Sequence, residues 1–344
     1  MKAATVAVSD HAQDLYRSAE VIDIHVESFV WTRVFGYDLG VRHGRGRLGA
    51  RYYSQADLPR IRESGMAGAV LSVATNPFRR AVGRTAALVS NLSRLRRAVA
   101  ATEGAAVVGD LAGYRAARAE GKTACFLAVQ GGNAFGRGAL DVPSVPEGLL
   151  TRVTLLHLTD SPLGATSSPL GRGDRALTEA GAEMVEALNE RRVIVDLAHI
   201  SRPGFWQALD VHARDLPPIV SHTGVCGVHE SWRNLDDDQV RAIAGRGGVV
   251  GVMHHRGFLG RPSWKVTADT VAAHLTHIVN VGGEDAAALG SDWDGMITTP
   301  RDMPTVLELP VLVEHLLRRG LSDDVVRKLL GANYLRVVGA VRPG

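Results

Sequence analysis

Apolar residues gather in eight nearly unbroken runs along the chain, at 20–25, 68–74, 123–129, 152–157, 193–198, 218–222, 248–254 and 287–291. Runs that do not alternate with polar residues suit the strands of a parallel sheet, which is covered on both faces. The segments between them show helical three-and-four spacing. Met184, Val185 and Leu188 precede Val193-Ile194-Val195, and Arg191 and Arg192 place cations at the negative end of that helix. Another helix, capped by Ser9 or Asp10, runs to about Ser18. Eight strands alternating with helices predict a closed (β/α)8 TIM barrel, since an open sheet of that size would leave edges to protect. The reading is a single barrel domain over 1–344, with long βα loops and C-terminal helices. The long irregular pieces, 28–54, 131–148, 158–176, 223–235, 255–266 and 292–305, all follow strands, where barrels place their chemistry.

The polar residues at those strand ends are the candidate site. Val21-Ile22-Asp23-Ile24-His25-Val26-Glu27 ends in a histidine and, two residues on, a carboxylate, so both side chains leave the strand on one face. Gln130 follows the third run, His157 the fourth, His199 the fifth, His222 the sixth and Asp292 the eighth. Any one such histidine is ordinarily just hydrogen-bonded or solvated. Coincidence at strand after strand is harder to sustain. Two imidazoles, a histidine-carboxylate pair and an aspartate match the donor preferences of zinc or a similar divalent ion, which points to metal-assisted hydrolysis.

Composition narrows the alternatives. The formal charge of +3 and pI near 9.0 come from scattered arginines rather than a basic tract, so no nucleic-acid or membrane footprint is expected. Cys125 and Cys226 are the only cysteines, which suits a reducing, cytoplasmic compartment, and neither a signal peptide nor a membrane-spanning run is expected. Lysine occurs only at Lys2, Lys122, Lys265 and Lys328, none at a strand's carboxyl end, which argues against a carboxylated-lysine metal bridge. No phosphate loop, G-x-S-x-G elbow or dinucleotide fingerprint is present.

The blocks Ile22 to Glu27, Val129-Gln130-Gly131-Gly132-Asn133, Val195-Asp196-Leu197-Ala198-His199-Ile200-Ser201 and Ser221-His222-Thr223 resemble the metal motifs of the membrane (renal) dipeptidases, peptidase family M19 of the amidohydrolase superfamily. Trp232 to Asp237, Gly290 to Gly295 and Gly331 to Val337 continue the resemblance in order along nearly the whole chain. It implies a binuclear zinc barrel that hydrolyses dipeptides, including those with a C-terminal D-residue, and by analogy a homodimer. By motif position, His25 and Glu27 hold one metal and His199 and His222 the other. Gln130 stands where the family bridges both with glutamate. His157 contacts the substrate carbonyl or tetrahedral oxyanion, Arg233 takes the terminal carboxylate with its planar fork, and Asp292 shuttles the proton.

Two departures fall on the metal site: Glu27 replaces an aspartate and Gln130 replaces the bridging glutamate. A carboxamide cannot give one anionic oxygen to each of two cations, so one tightly bound zinc is expected, with a second weak or absent. The leading expectation is a dipeptidase-type hydrolase that cleaves an amide in a small carboxylate-bearing substrate through a metal-activated water. Two readings stay open beside it: an amidohydrolase acting on an N-acyl amino acid, a lactam or a biosynthetic intermediate, and a catalytically silent ligand-binding barrel. His254 or His255 is a further pocket candidate. Cys226, His274 and His277 are more simply packing or surface residues.

Overall fold

The computed structural model describes residues 6–46, 48–76, 79–135, 148–172 and 175–344. Among the described residues, nine parallel strands form one sheet: β1 (Ile22–Val26), β2 (Gly68–Ala74), β3 (Ala105–Val108), β4 (Thr123–Gln130), β5 (Leu150–Thr154), β6 (Ile194–Asp196), β7 (Ile219–Thr223), β8 (Val249–Val252) and β9 (Ala287–Leu289). Pairing of β2 with β4 closes a barrel of eight strands, with helices between them. Each of the eight apolar runs overlaps one barrel strand. The ninth strand, β3, was not anticipated. It pairs with Thr123–Phe126, the lower half of the β4 edge, while β5 takes Leu127–Gln130 above it.

Alternate residues of each strand divide the core in two. Val70, Ala124, Phe126, Ala128, Ile194, Ile219 and Val249 pack with Tyr334, Val337 and Val338 of the C-terminal helix Asn333–Val341. Leu71, Val73, Leu127, Val129, Val220 and Val250 pack instead with the surrounding helices. Ser9 caps the first helix, Asp10–Ser18, by accepting from the backbone of Ala12 at 3.2 Å. No helix among the described residues is long and apolar enough to cross a membrane.

Three strands carry an extra residue relative to a neighbour. Asp23 and Val26 pair with Ala69 and Leu71, Val220 and Thr223 pair with Val250 and Val252, and Leu127 and Ala128 pair with Leu150 and Arg152. Each is a bulge, and a bulge changes which way the following side chains point. The first lies at His25, the second at Ser221 and His222, the third at Thr151 beside Arg152. Two expected irregular loops contain short helices, Phe29–Phe35 and Arg256–Leu259, formed where a loop packs down against the barrel mouth. Most of the expected 131–148 loop, residues 136–147, lies outside the described residues, as do Arg47, Gly173 and Asp174 of two others.

Candidate metal centre and active site

The carboxyl ends of the barrel strands bring the expected residues into one buried pocket. His25 Nε2 lies 3.3 Å from Glu27 Oε1 and 3.6 Å from Asp292 Oδ1. His199 and His222 meet Nε2 to Nε2 at 2.8 Å, and the Gln130 amide nitrogen is 3.3 Å from His199 Nε2. The His25 and His222 rings stack at 3.8 Å, and His157 meets His199 edge to face at 4.9 Å. Arg233, also buried, donates from Nη2 to the His222 carbonyl at 2.5 Å. Ligand atoms of His25, His222 and Asp292 all lie within 4.8 Å of one another.

Beneath the pocket lies a charged network that sequence reasoning missed. Arg152 and Asp196, both fully buried, form an ion pair. Asp196 Oδ1 accepts from the backbone of Ala198 and Ser221 at 3.0 and 2.9 Å. Its Oδ2 accepts from Ser221 Oγ and Thr154 Oγ1 at 2.6 and 2.5 Å. Ser221 Oγ in turn lies 2.8 Å from His222 Nδ1. The signal was present: an arginine inside an apolar strand must have a buried acid for company, and Asp196 sits in the motif around His199.

The backbone around the site is constrained. His199 and Asp292 have φ of 65° and 63°, in the left-handed region that non-glycine residues seldom occupy. Asp294 fastens the first long loop over the mouth. Its carboxylate accepts from Ser28 Oγ at 2.6 Å and from the Gln55 and Ala56 backbone at 2.7 and 3.2 Å, and its carbonyl accepts from Trp31 Nε1 at 2.7 Å. Elsewhere on that loop Tyr37 stacks on His43 at 3.9 Å, and Arg42 pairs with Glu63 at 2.6 Å.

Burial sets the electrostatics. It pushes Glu27 up to about 7 and Asp292 well above the ordinary carboxylate range, the latter helped by the Glu27 charge and opposed by Arg233. It also holds His25, His199 and His222 well below their ordinary value and His157 down to about 4, with the Arg233 charge adding to each. The four imidazoles are therefore neutral near pH 7, as ligation requires. Glu27 Oε1 and Gln130 Oε1 are buried without a hydrogen-bond partner among the described residues. Bare oxygens beside facing imidazole nitrogens fit a divalent cation.

Gly295 is required by Asp292. A Cβ at that position would fall within the Asp292 carboxylate. Gly295→Ala is accordingly expected to lower kcat by at least about tenfold by moving the proton carrier, with thermal unfolding little changed. A kcat within twofold of the parent would show that the carboxylate tolerates displacement.

The remaining candidates fall elsewhere. His254 is buried against Trp293 with neither ring nitrogen partnered among the described residues, and His255 Nδ1 accepts from the Thr298 backbone at 3.1 Å. His274 joins the Val225 amide to the Leu259 carbonyl, and His277 pairs with Asp237. Cys226 lines a neighbouring cleft of about 550 Å³, together with His199, Trp232, Arg233 and Phe258.

Known proteins share the sequence and fold of this chain. A Klebsiella pneumoniae protein from the region 5′ of pqqA is 36% identical over 165 residues, 47% of this chain and 60% of that protein. A Schizosaccharomyces pombe protein described as an uncharacterized dipeptidase is 34% identical over 189 residues, 54% of this chain and 45% of its own length. The matched part thus spans about half the length of these curated relatives. The crystal structure of a metallopeptidase from Rhodobacter sphaeroides, bound to a phosphinate mimic of the dipeptide L-Ala-D-Ala, shares the fold, with a TM-score of 0.82 at 24% identity over 94% of this chain and 99% of that one. The family model for membrane dipeptidases matches residues 9–343, and the chain belongs to that family, peptidase family M19.

Proposed function

We propose that this chain is a metal-dependent hydrolase of the dipeptidase type, cleaving an amide in a dipeptide or a similarly small, carboxylate-bearing substrate. The observation that carries the reading is the convergence of His199, His222, Asp292 and Arg233 in one buried pocket, with His199 and Arg233 also lining a cleft of about 550 Å³. Membership of a metallopeptidase family supports it. So does the phosphinate dipeptide mimic held by the Rhodobacter protein.

A divalent ion, zinc by its donor set, held among His25, Glu27, Gln130, His199 and His222, would supply the Lewis-acid chemistry that polarises a carbonyl and activates water. The chain's own residues do the rest. Asp292, its carboxyl raised by burial, takes a proton and returns it to the leaving amine. His157, neutral and with Nδ1 unpartnered among the described residues, would contact the substrate carbonyl. Arg233 spends Nη2 on the His222 carbonyl and keeps the rest of its fork for a substrate carboxylate.

Arg233→Ala is therefore expected to raise KM by about 10- to 100-fold with a smaller fall in kcat. A kcat loss exceeding the KM rise would remove the anchoring role. The reading is tested by assaying zinc-loaded and chelated protein on L,L and L,D dipeptides alongside N-acyl amino acids. Hydrolysis of dipeptides by the loaded protein alone supports it. Gln130, where the family bridges two metals with glutamate, favours a second reading, an amidohydrolase for an N-acyl amino acid, a lactam or a biosynthetic intermediate. Turnover of acyl substrates alone would select that reading, and no turnover of either would leave a silent binding barrel.

A further inference from the structure

We infer that Arg152 is a positioning residue that divides the metal centre: it turns His25 into a hydrogen-bond donor and leaves His199 and His222 to hold a single ion. This rests on the metallohydrolase reading above and says where within that site the ion sits.

The argument is one of donors and acceptors. Arg152 Nη2 lies 3.0 Å from His25 Nδ1 with its N–H directed at that nitrogen. A guanidinium only donates, so His25 Nδ1 must accept. Neutral His25 then carries its proton on Nε2, the atom that faces Glu27 and Asp292 at 3.3 and 3.6 Å. To ligate through Nε2, His25 would have to become an imidazolate or break from Arg152. Ligating histidines ordinarily give their second N–H to a carboxylate, a carbonyl or water, and here the second nitrogen meets a cationic donor.

His222 has the opposite arrangement. The Ser221 hydroxyl hydrogen is committed to Asp196 Oδ2 at 2.6 Å, so Ser221 Oγ accepts from His222 Nδ1 at 2.8 Å. His222 Nε2 is therefore bare and faces His199 Nε2 at 2.8 Å. Ser221 Oγ also lies 3.4 Å from His25 Nδ1, but the contact is longer, uncharged on both sides and shared with His222. Asp196 balances the Arg152 charge, so the asymmetry lies in the direction of hydrogen bonding rather than in net charge. Gln130 adds to it, its amide nitrogen facing His199 where a bridge would need an anion.

The direct test is a long-range 1H–15N correlation spectrum of the intact protein labelled at histidine, with the His25 signals assigned from a His25→Asn sample. In the parent, His25 should show a protonated Nε2 and a bare Nδ1, and His222 the reverse. Zinc should shift His199 and His222, saturate at one equivalent and leave the His25 Nε2 proton in place. Arg152→Met should take up a second equivalent with His25 now responding, and Arg152→Lys, which keeps a cationic donor, should return to one. Loss of the His25 Nε2 proton with the first equivalent of zinc would overturn the inference, as would a folded Arg152→Met that still saturates at one. If Arg152→Met does not fold, the parent spectrum decides alone. Zinc that moves no histidine would instead overturn the metallohydrolase reading itself, and dipeptide turnover by the one-zinc parent leaves both standing.

Discussion

Asp292→Asn is expected to fold at least as stably as the parent while turning over substrate roughly 10²- to 10⁴-fold more slowly, the usual contribution of a positioned proton carrier. Asparagine is the informative replacement because it keeps the shape and accepts the left-handed backbone at φ 63°, which alanine would strain. It cannot carry the proton. Burial and the neighbouring Glu27 charge raise the Asp292 carboxyl, so its ionised form is costly to the fold. Removing that charge should hold or raise the thermal midpoint. The fall should appear in kcat with KM little changed. A variant that keeps most of its rate would mean that the proton travels through another group, and one that loses rate and stability together would mark Asp292 as a structural residue.

The metal-free protein should lose stability steeply between pH 7 and pH 5. Among the described residues, eight histidines lie below their ordinary value through burial: His25, His157, His199, His212, His222, His254, His255 and His274. His157, His255 and His274 sit at about 4 and His254 at about 3. In the unfolded chain each takes a proton as pH falls through about 6.5, whereas the folded protein resists until its lower value, so acid draws the equilibrium toward unfolding. Four buried carboxyls pull the other way, Asp23 and Asp294 at about 6, Glu27 at about 7 and Asp292 well above the ordinary carboxylate range, because the folded state protonates them first. The histidines outnumber them, and a net excess of roughly four protons on the unfolded chain costs on the order of 5 kcal/mol per pH unit as an upper bound. Urea midpoints measured at pH 7.5, 6.5 and 5.5 on chelated protein should therefore fall. A flat or rising series would show that the carboxyls dominate.

Much of this molecule could be read from its amino acids. The barrel was legible because a sheet covered on both faces leaves strands apolar along nearly their whole length, as at Ala69 to Val73 and Ile219-Val220. The ligand candidates were legible because each ends such a run. β3 was hidden because its four residues follow closely on the helix Arg84–Ala101 and pair with only half of one strand edge. The bulges were hidden because an inserted residue changes direction without changing composition. Arg152 and Ser221 read as ordinary members of strand segments, and only the fold shows that they lie beneath His25 and His222. Asp294 stood inside a recognisable block, yet its grip on Ser28, Gln55 and Ala56 joins positions more than two hundred residues apart.

The extra residues in β1 and β7 give the gene an uneven tolerance. Conservative exchanges along those segments should often pass, because the side-chain alternation survives them. An in-frame loss of a single codon at Ile24 or Ser221 would not, since it removes the bulge and draws the imidazole that follows into the place of the deleted residue, away from the side chains it meets. Length at these two points is under tighter constraint than identity.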